Sequence, residues 1–125
     1  MKTIIQPEDW ETALSQWRGG EVVVWMYHAG HRLMAIRLSH SEMSEDLYVV
    51  GVGCQQIQGP FAWGPSALMV LAGDSAREAG SSEDGLILDA AAGFRLCCRD
   101  VVLVRGPRGG YDVSFEGFLG EQEDA

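Results

Sequence analysis

The stretch from Glu21 to His40 constrains the fold of this chain more than any other. Two runs rich in β-branched, aromatic and aliphatic residues, 21–28 and 31–40, flank a short break at Ala29-Gly30. A glycine-containing break between two such runs is typical of a β-hairpin, because tight turns need backbone conformations that glycine adopts freely. The sequence therefore predicts an antiparallel β-protein whose functional side chains are presented by strands and loops.

Further strand-like runs follow this hairpin, and glycine, proline or acidic residues separate them. They cover residues 47–58, 67–72, 86–89, 95–105 and 111–118. In the last run, tyrosine, valine and phenylalanine alternate with aspartate, serine and glutamate, which predicts a strand with one dry face. The glycine- and proline-rich break at 106–110 is predicted to be a hairpin turn before that strand.

A single amphipathic helix is predicted over residues 7–18, ahead of the first strand. Proline followed by two carboxylates suits a helix N-terminus, which carries partial positive charge. Apolar residues recur at helical spacing, and Gly19-Gly20 then ends the helix. The members of this apolar stripe are Trp10, Ala13, Leu14 and Trp17. We expect the tryptophans to pack the helix against the sheet.

These elements predict a mainly β fold that forms one domain over residues 1–125. A chain of 125 residues can build one hydrophobic core and hardly two. Six or seven strands with one N-terminal helix favour an antiparallel β-sandwich or a partly closed barrel. The small and acidic residues of 73–85 predict a flexible loop, and 119–125 predicts an acidic tail.

The charge and the cysteines of the chain limit its partners and its compartment. A formal net charge of −9 disfavours nucleic acid and anionic membrane surfaces and favours a basic protein partner. No run approaches the ~20 apolar residues of a membrane helix, and the N-terminal residues do not resemble a signal peptide. Three cysteines, two of them adjacent at Cys97-Cys98, are a poor disulfide framework, so we expect a cytoplasmic protein with reduced thiols.

Histidine and cysteine supply the first candidates for chemistry. His28 and His31 have the spacing of a metal-binding pair, but no third ligand accompanies them at a recognised spacing, so we expect neither a metal nor another cofactor. Arg95 and Arg99 flank Cys97 and could lower the pKa of its thiol. A small buried residue is the favoured interpretation of Cys97, because no histidine lies near it in sequence.

Two aspartates are the remaining candidates. Asp89, at the end of a strand, could be a general base, although capping of the following turn is favoured. Strand alternation predicts that Asp100 faces the same side as apolar residues of its strand. It therefore either pairs with an arginine across the sheet, or the strand is bulged there so that Asp100 faces out. The sequence assigns no catalytic residue, and it favours a protein that is not an enzyme.

Aromatic residues in a loop and in the hairpin are the best binding candidates. Phe61 and Trp63 lie in a loop that proline and glycine punctuate at both ends, so they could anchor a partner or plug an open end of the fold. Trp25 and Tyr27 are predicted to share one face of the hairpin, with Val22, Val24 and Met26 on the other. Because both faces of the hairpin are apolar, either the hairpin is central in the sheet, or one face contacts a protein partner or a second copy of the chain.

The leading hypothesis is therefore a small acidic protein-interaction domain, with an immunity or inhibitor protein as its sharpest form. The alternative is a small-molecule-binding or enzymatic β-barrel. That alternative requires a pocket that brings together at least two of the following residues: His28, His31, Cys54 and Asp89.

Overall fold

The protein is mainly β and is built on one curled antiparallel sheet in the form of a half-barrel. A computed structural model describes residues 3–108. The sheet order is β5-β2-β3-β4-β8-β7-β6, and β1 pairs with β8 as well. The strands are β1 (Thr3–Ile5), β2 (Glu21–His28), β3 (Leu33–Ser39), β4 (Glu45–Gln58), β5 (Ala62–Trp63), β6 (Met69–Ala72), β7 (Gly85–Asp89) and β8 (Phe94–Pro107).

The mainly β fold is confirmed, and the partly closed barrel is the predicted architecture that matches. Strands were predicted for β2, β3, β4, β6, β7 and β8, whereas the short strands β1 and β5 were not. The predicted strand at 111–118 and the predicted acidic tail lie outside the described residues.

The predicted helix is present and packs onto the concave side of the sheet. A 3-10 turn at Pro7–Asp9 leads into helix α1 (Trp10–Gln16). Trp17, which follows the helix, is fully buried, and its indole Nε1 donates a hydrogen bond to the Glu45 carbonyl over 3.1 Å. This contact fixes the end of the helix against the start of β4.

A second helix occupies part of the segment that was predicted to be a flexible loop, 73–85. Helix α2 (Asp74–Glu78) buries Ala76 in a small cluster with Leu86 and Cys97. The buried Ser81 hydroxyl donates to the Gly85 carbonyl over 3.0 Å and closes the return into β7. The polar composition of the segment predicts a loop, because one small buried residue, Ala76, gives little helical signal in the sequence.

A β-bulge in β2 corrects the predicted faces of the hairpin. The β2–β3 register shifts between Val24 and Met26, and such a shift moves the following residues to the opposite face. Trp25 and Met26 both pack on the convex side. Tyr27 is instead paired with Met34, a residue of the concave side, so Trp25 and Tyr27 do not share a face.

Two apolar clusters therefore lie on opposite sides of the central strands. The inner cluster, on the concave side, is built around Leu14, Trp17, Val22, Met34, Ile36, Leu38, Leu47, Val49, Cys54, Leu68, Ile87, Phe94, Leu96, Cys98, Val101 and Leu103. The outer cluster, on the convex side, consists of Ala35, Tyr48, Val50 and Val104, with Trp25, Met26, Leu33, Val52 and Val102 packed against them.

Asp100 lies where the alternation of β8 changes. Leu96 and Cys98 belong to the inner cluster, and so do Val101 and Leu103, so the apolar alternation shifts by one residue between Cys98 and Val101. Asp100 is exposed there, and its Oδ1 accepts a hydrogen bond from the Val101 N–H over 2.8 Å. Asp100 thus faces out, as the bulge interpretation expected, but the register shift of the β4–β8 pair lies between Cys54 and Gln56 and not at Asp100.

Candidate binding surface

The loop between β4 and β5 holds Phe61 at the surface on a fixed backbone. The Phe61 side chain is 78% exposed. Its carbonyl accepts a hydrogen bond from the Val24 N–H over 2.7 Å, which ties the loop to β2. Gly59, which begins the loop, has a φ of +124° and lies against the backbone of Gly93 and Phe94. An apolar ring is thus presented to solvent from a segment whose backbone is anchored at two points.

Trp63, two residues later, is turned into the structure. Its ring packs on Phe94 with ring centroids 4.7 Å apart and an interplanar angle of 31°. Its Nε1 donates to Asp89 Oδ2 over 2.8 Å. Trp63 therefore closes the half-barrel on the side of β7, which was the competing interpretation of this residue from sequence.

Two further exposed apolar side chains lie on the concave side. Tyr27 is 52% exposed and is paired with Met34, and Ile57 is 47% exposed and is paired with Leu96. Both partners belong to the inner cluster, and directly opposed residues of antiparallel strands share a face.

Phe61 joins Tyr27 and Ile57 on this side. Ala62 is paired with Val23 and the Phe61 carbonyl accepts from the Val24 N–H, so Phe61 lies opposite Val24, which packs against the inner cluster. We refer to Tyr27, Ile57 and Phe61 as the apolar rim. Sequence reasoning missed Ile57, because its neighbours in the chain are glutamines and a lone isoleucine among them gives little signal.

Trp25 does not belong to the apolar rim. Its indole lies 5.1 Å from the Tyr48 ring between centroids, and the Arg37 guanidinium carbon is 5.8 Å from the indole centroid. Trp25 is half-buried in the outer cluster. Of the four binding residues predicted from sequence, Tyr27 and Phe61 are thus exposed, whereas Trp25 and Trp63 pack against other rings.

Two open clefts flank the turn between α1 and β2. One, of about 590 Å³, lies between residues 19–23 and residues 62–65. The other, of about 520 Å³, is lined by 19–21, 39–41 and Arg108. The Arg108 guanidinium donates to the carbonyls of His40 and Met43 and lies 3.9 Å from Asp46 Oδ1, so this cation is already engaged.

The residues proposed for an enzymatic pocket do not meet in either cleft. Neither cleft is lined by His28, His31, Cys54 or Asp89. Asp89 is fully buried, and its carboxylate accepts hydrogen bonds from the Trp63 indole, the Ala67 N–H and the Ala92 N–H over 2.8, 2.8 and 3.3 Å. It caps the turn after β7, as the favoured interpretation expected, and in addition it binds β5 and the following loop to that turn.

The two hairpin histidines contact each other. The rings of His28 and His31 stack with centroids 5.0 Å apart, and His28 Nδ1 accepts a hydrogen bond from the His31 N–H over 3.3 Å. Within residues 3–108, no three histidine, cysteine or acidic side chains form a group that could hold a metal ion. The pair therefore orders the hairpin tip.

The three cysteines are free and buried. Cys54 and Cys98 are paired across β4 and β8 in the inner cluster, whereas Cys97 faces the opposite side beneath Ala76. Burial raises the pKa of the Cys54 thiol to about 11. Burial, with a further contribution from the neighbouring Cys54, raises the pKa of Cys98 to about 12. Both are therefore protonated and poorly nucleophilic at neutral pH.

Comparison with known proteins identifies no relative. No protein-family model matches the chain, and no curated protein and no solved structure matches it. In the part of the chain that the structure describes, no helix is long and apolar enough to cross a membrane.

Proposed function

We propose that this protein is a non-enzymatic interaction domain that contacts a protein partner through the apolar rim. The observation that carries the proposal is the 78% exposed ring of Phe61 on a backbone anchored to β2 and packed against the start of β8. A large apolar ring in water is unfavourable for an isolated domain, and its burial against a partner would contribute about 2 kcal/mol.

The fixed backbone of the Phe61 loop lowers the entropic cost of this contact. Binding by a mobile loop loses conformational freedom, and a loop that is already ordered avoids most of that cost. Aromatic side chains at the centre of an interface supply much of its binding energy. Phe61 is therefore the central anchor, with Tyr27 and Ile57 as flanking contacts.

The charge of the chain defines the partner. With a formal net charge of −9, the domain attracts a basic protein and repels acidic ones and nucleic acid. The sharpest form of the proposal is an immunity or inhibitor protein that covers a basic site on a toxin or enzyme. The three free cysteines favour a cytoplasmic setting for this complex.

The test compares rim variants with a matched surface variant. Tagged wild-type protein, Phe61→Ala, Tyr27→Ala and the control Met69→Ala, whose side chain is 49% exposed on β6, are used to isolate partners from native cell extract. The isolated partner is then titrated by calorimetry at two salt concentrations. We expect Phe61→Ala to weaken binding at least tenfold, Met69→Ala to bind like wild type, and salt to weaken binding.

Two results of these experiments would contradict the proposed interface. If wild-type protein isolates no partner, or if Phe61→Ala and Met69→Ala bind the isolated partner equally, the apolar rim is not the interface. Light scattering of wild-type protein adds the homodimer outcome: a dimer that Phe61→Ala dissociates would assign the rim to self-association.

The enzymatic or ligand-binding barrel is less well supported. It requires a shared pocket for His28, His31, Cys54 and Asp89, and the two clefts beside the α1–β2 turn are lined by none of them.

A further inference from the structure

Two of the three buried cysteines oppose each other across β4 and β8. Cys54 is the register partner of Cys98, and both residues belong to the inner cluster. Directly opposed residues of antiparallel strands have Cα atoms about 4.5–5.5 Å apart. Disulfides form across Cα separations of about 4.4–6.8 Å. The backbone of the sheet therefore already holds these two residues at a separation that a disulfide can bridge.

The two sulfur atoms lie beside the same glycine. A Cβ atom added at Gly51 would be 3.1 Å from Cys54 Sγ and 3.4 Å from Cys98 Sγ, so both sulfurs border one small space. On the side of β7, a Cβ atom added at Gly85 would be 3.1 Å from Cys98 Sγ. The Cys54 thiol donates to the Gly51 carbonyl over 3.3 Å, a weak hydrogen bond whose loss costs little. Because neither glycine has a side chain, the two thiols have room to rotate towards each other.

The alternation of β8 keeps Cys97 away from this pair. Adjacent residues of a strand point to opposite faces, so Cys97 and Cys98 face different sides of the sheet. Cys97 is buried in the small cluster with Ala76 and Leu86, whereas Cys98 lies in the inner cluster. A link from Cys97 to Cys54 would have to pass through the sheet. Cys97 is therefore an internal control for any chemistry of the other two thiols.

We propose that Cys54 and Cys98 are an oxidation site, at which hydrogen peroxide or another small hydroperoxide converts the two thiols to a disulfide between β4 and β8. The oxidant must be small, since Cys54 is 8% exposed and Cys98 is fully buried. Cys54 is the residue that the oxidant reaches first. In a cytoplasmic setting such a disulfide is transient and forms under oxidising conditions, because thiol reductants otherwise keep cysteines reduced.

The oxidation takes two steps. In the first, the Cys54 thiolate attacks an oxygen of hydrogen peroxide, the O–O bond breaks, and the departing hydroxide combines with the proton that the thiol released to give water. In the second, the Cys98 thiolate attacks the sulfur of the Cys54 sulfenic acid. The S–S bond forms, the S–O bond breaks, and the departing hydroxide takes up the Cys98 proton. The protein loses two hydrogen atoms, and one peroxide is reduced to two water molecules.

The disulfide would fix the sheet at a point where several strands meet. The Cys54 N–H donates to the Arg32 carbonyl over 2.9 Å and so attaches the β2–β3 connection to β4. On its other side, Cys98 is paired with Gly85 of β7. A covalent link between residues far apart in sequence also restricts the unfolded chain, so we expect the oxidised protein to be more stable than the reduced protein.

The test treats full-length wild-type protein, Cys97→Ala and Cys98→Ala with hydrogen peroxide. Mildly alkaline pH is used, because burial raises the pKa of the Cys54 thiol to about 11 and that of the Cys98 thiol to about 12, so little thiolate is present at neutral pH. The remaining thiols are alkylated in denaturant, and unreduced peptides are mapped by mass spectrometry.

The linked peptides distinguish the pairing. In wild-type protein we expect the link from Cys54 to Cys98 to exceed any link from Cys54 to Cys97 at least tenfold, a readout that does not depend on folding of the variants. Cys97→Ala should form the same link within twofold of wild type, and Cys98→Ala should form at least tenfold less link within the chain. Oxidation of wild type should lower its unfolding equilibrium constant in urea at least tenfold.

Three results would overturn the proposal. The first is wild-type protein that keeps three free thiols, or in which Cys54 advances to sulfinic acid without a link. The second is a link from Cys54 to Cys97 as abundant as that to Cys98, or links only between different chains in a mixture of differently labelled protein. The third is an oxidised protein that unfolds at lower urea concentration than the reduced protein, since the two sulfurs would then not meet within the native sheet.

Discussion

The tip of the β4–β5 loop and the strand that follows it carry two aromatic side chains with opposite environments: one is exposed and the other is packed into the structure. Phe61 and Trp63 are two residues apart. Gly59-Pro60 comes directly before Phe61, and Gly64-Pro65 comes directly after Trp63. The ring of Phe61 is 78% exposed, whereas Trp63 packs on Phe94 and donates to the buried carboxylate of Asp89. The two side chains differ in hydrogen bonding. The Trp63 indole N–H donates to a buried acceptor, whereas the phenylalanine side chain has no hydrogen-bond donor.

This contrast separates the parts of the loop that hold the fold from the part that is available for binding. Asp89 gathers Trp63, Ala67 and Ala92 around one carboxylate, so the chain after residue 62 belongs to the closed side of the half-barrel. The chain before it is anchored through its backbone, by Gly59 and by the bond from Val24 to the Phe61 carbonyl. Substitutions on the two sides should therefore have distinct effects on stability.

The largest effect is expected at Asp89. In Asp89→Ala, the Trp63 indole N–H and the Ala67 N–H lose their acceptor, whereas the Ala92 N–H keeps its bond to the Asp89 backbone carbonyl. Each donor left unsatisfied costs about 1–3 kcal/mol. We expect a loss of about 4 kcal/mol in the free energy of unfolding, measured by urea denaturation with tryptophan fluorescence. Asp89→Asn keeps the volume and one acceptor oxygen, so it should lose about half as much. Equally small losses for the two variants would mean that packing on Phe94, and not hydrogen bonding to Asp89, holds Trp63.

The next effect compares the two aromatic residues directly. Trp63→Ala removes a ring that packs on Phe94 and leaves the Asp89 carboxylate with one donor fewer, so we expect it to lose about 3 kcal/mol of unfolding free energy. Phe61→Ala removes an exposed ring and should change that free energy by less than about 0.5 kcal/mol. The same urea titrations measure both. A loss of 2 kcal/mol or more in Phe61→Ala would show that this ring is part of the core.

Most of the strands and the first helix could be predicted from the sequence because their signals are local. The runs at 21–28 and 95–105 combine strand formers with clear breaks, and the stripe from Trp10 to Trp17 has helical spacing. Helix α2 is different, since it depends on one buried alanine whose pocket is formed by β7 and β8. Its stability comes from contacts between residues distant in sequence, which the local composition does not reveal.

The candidate site was harder to predict for the same reason. The bulge between Val24 and Met26 moves Trp25 and Tyr27 to different faces, and a single extra residue in a strand has no reliable sequence signature. The sequence offers Phe61 as a binding candidate, and its exposure is compatible with that prediction. The sequence does not reveal the partner of Trp63, because Asp89 lies 26 residues away along the chain. Long-range hydrogen bonds of this kind decide which aromatic residues are left exposed.

The smallest of the three effects concerns the anchored base of the Phe61 loop. Gly59 has a φ of +124°, and a Cβ atom there would lie 2.7 Å from Phe94 Cα and 2.8 Å from the Gly93 carbonyl oxygen. Both of these are backbone atoms, so Gly59→Ala must displace the loop or the start of β8. We expect it to lose about 2 kcal/mol of unfolding free energy.

Gly19→Ala is the matched control for Gly59→Ala. Gly19 has a φ of +88° and no atom within 4 Å of an added Cβ, so Gly19→Ala adds only the cost of a left-handed backbone, about 1 kcal/mol. The difference between the two variants in urea denaturation measures how firmly the base of the loop is held. If both variants lose the same amount, the loop can move away from β8 without cost. Phe61 would then be exposed on a mobile segment. The two sides of the loop would differ in flexibility, and not only in the hydrogen bonds that they form.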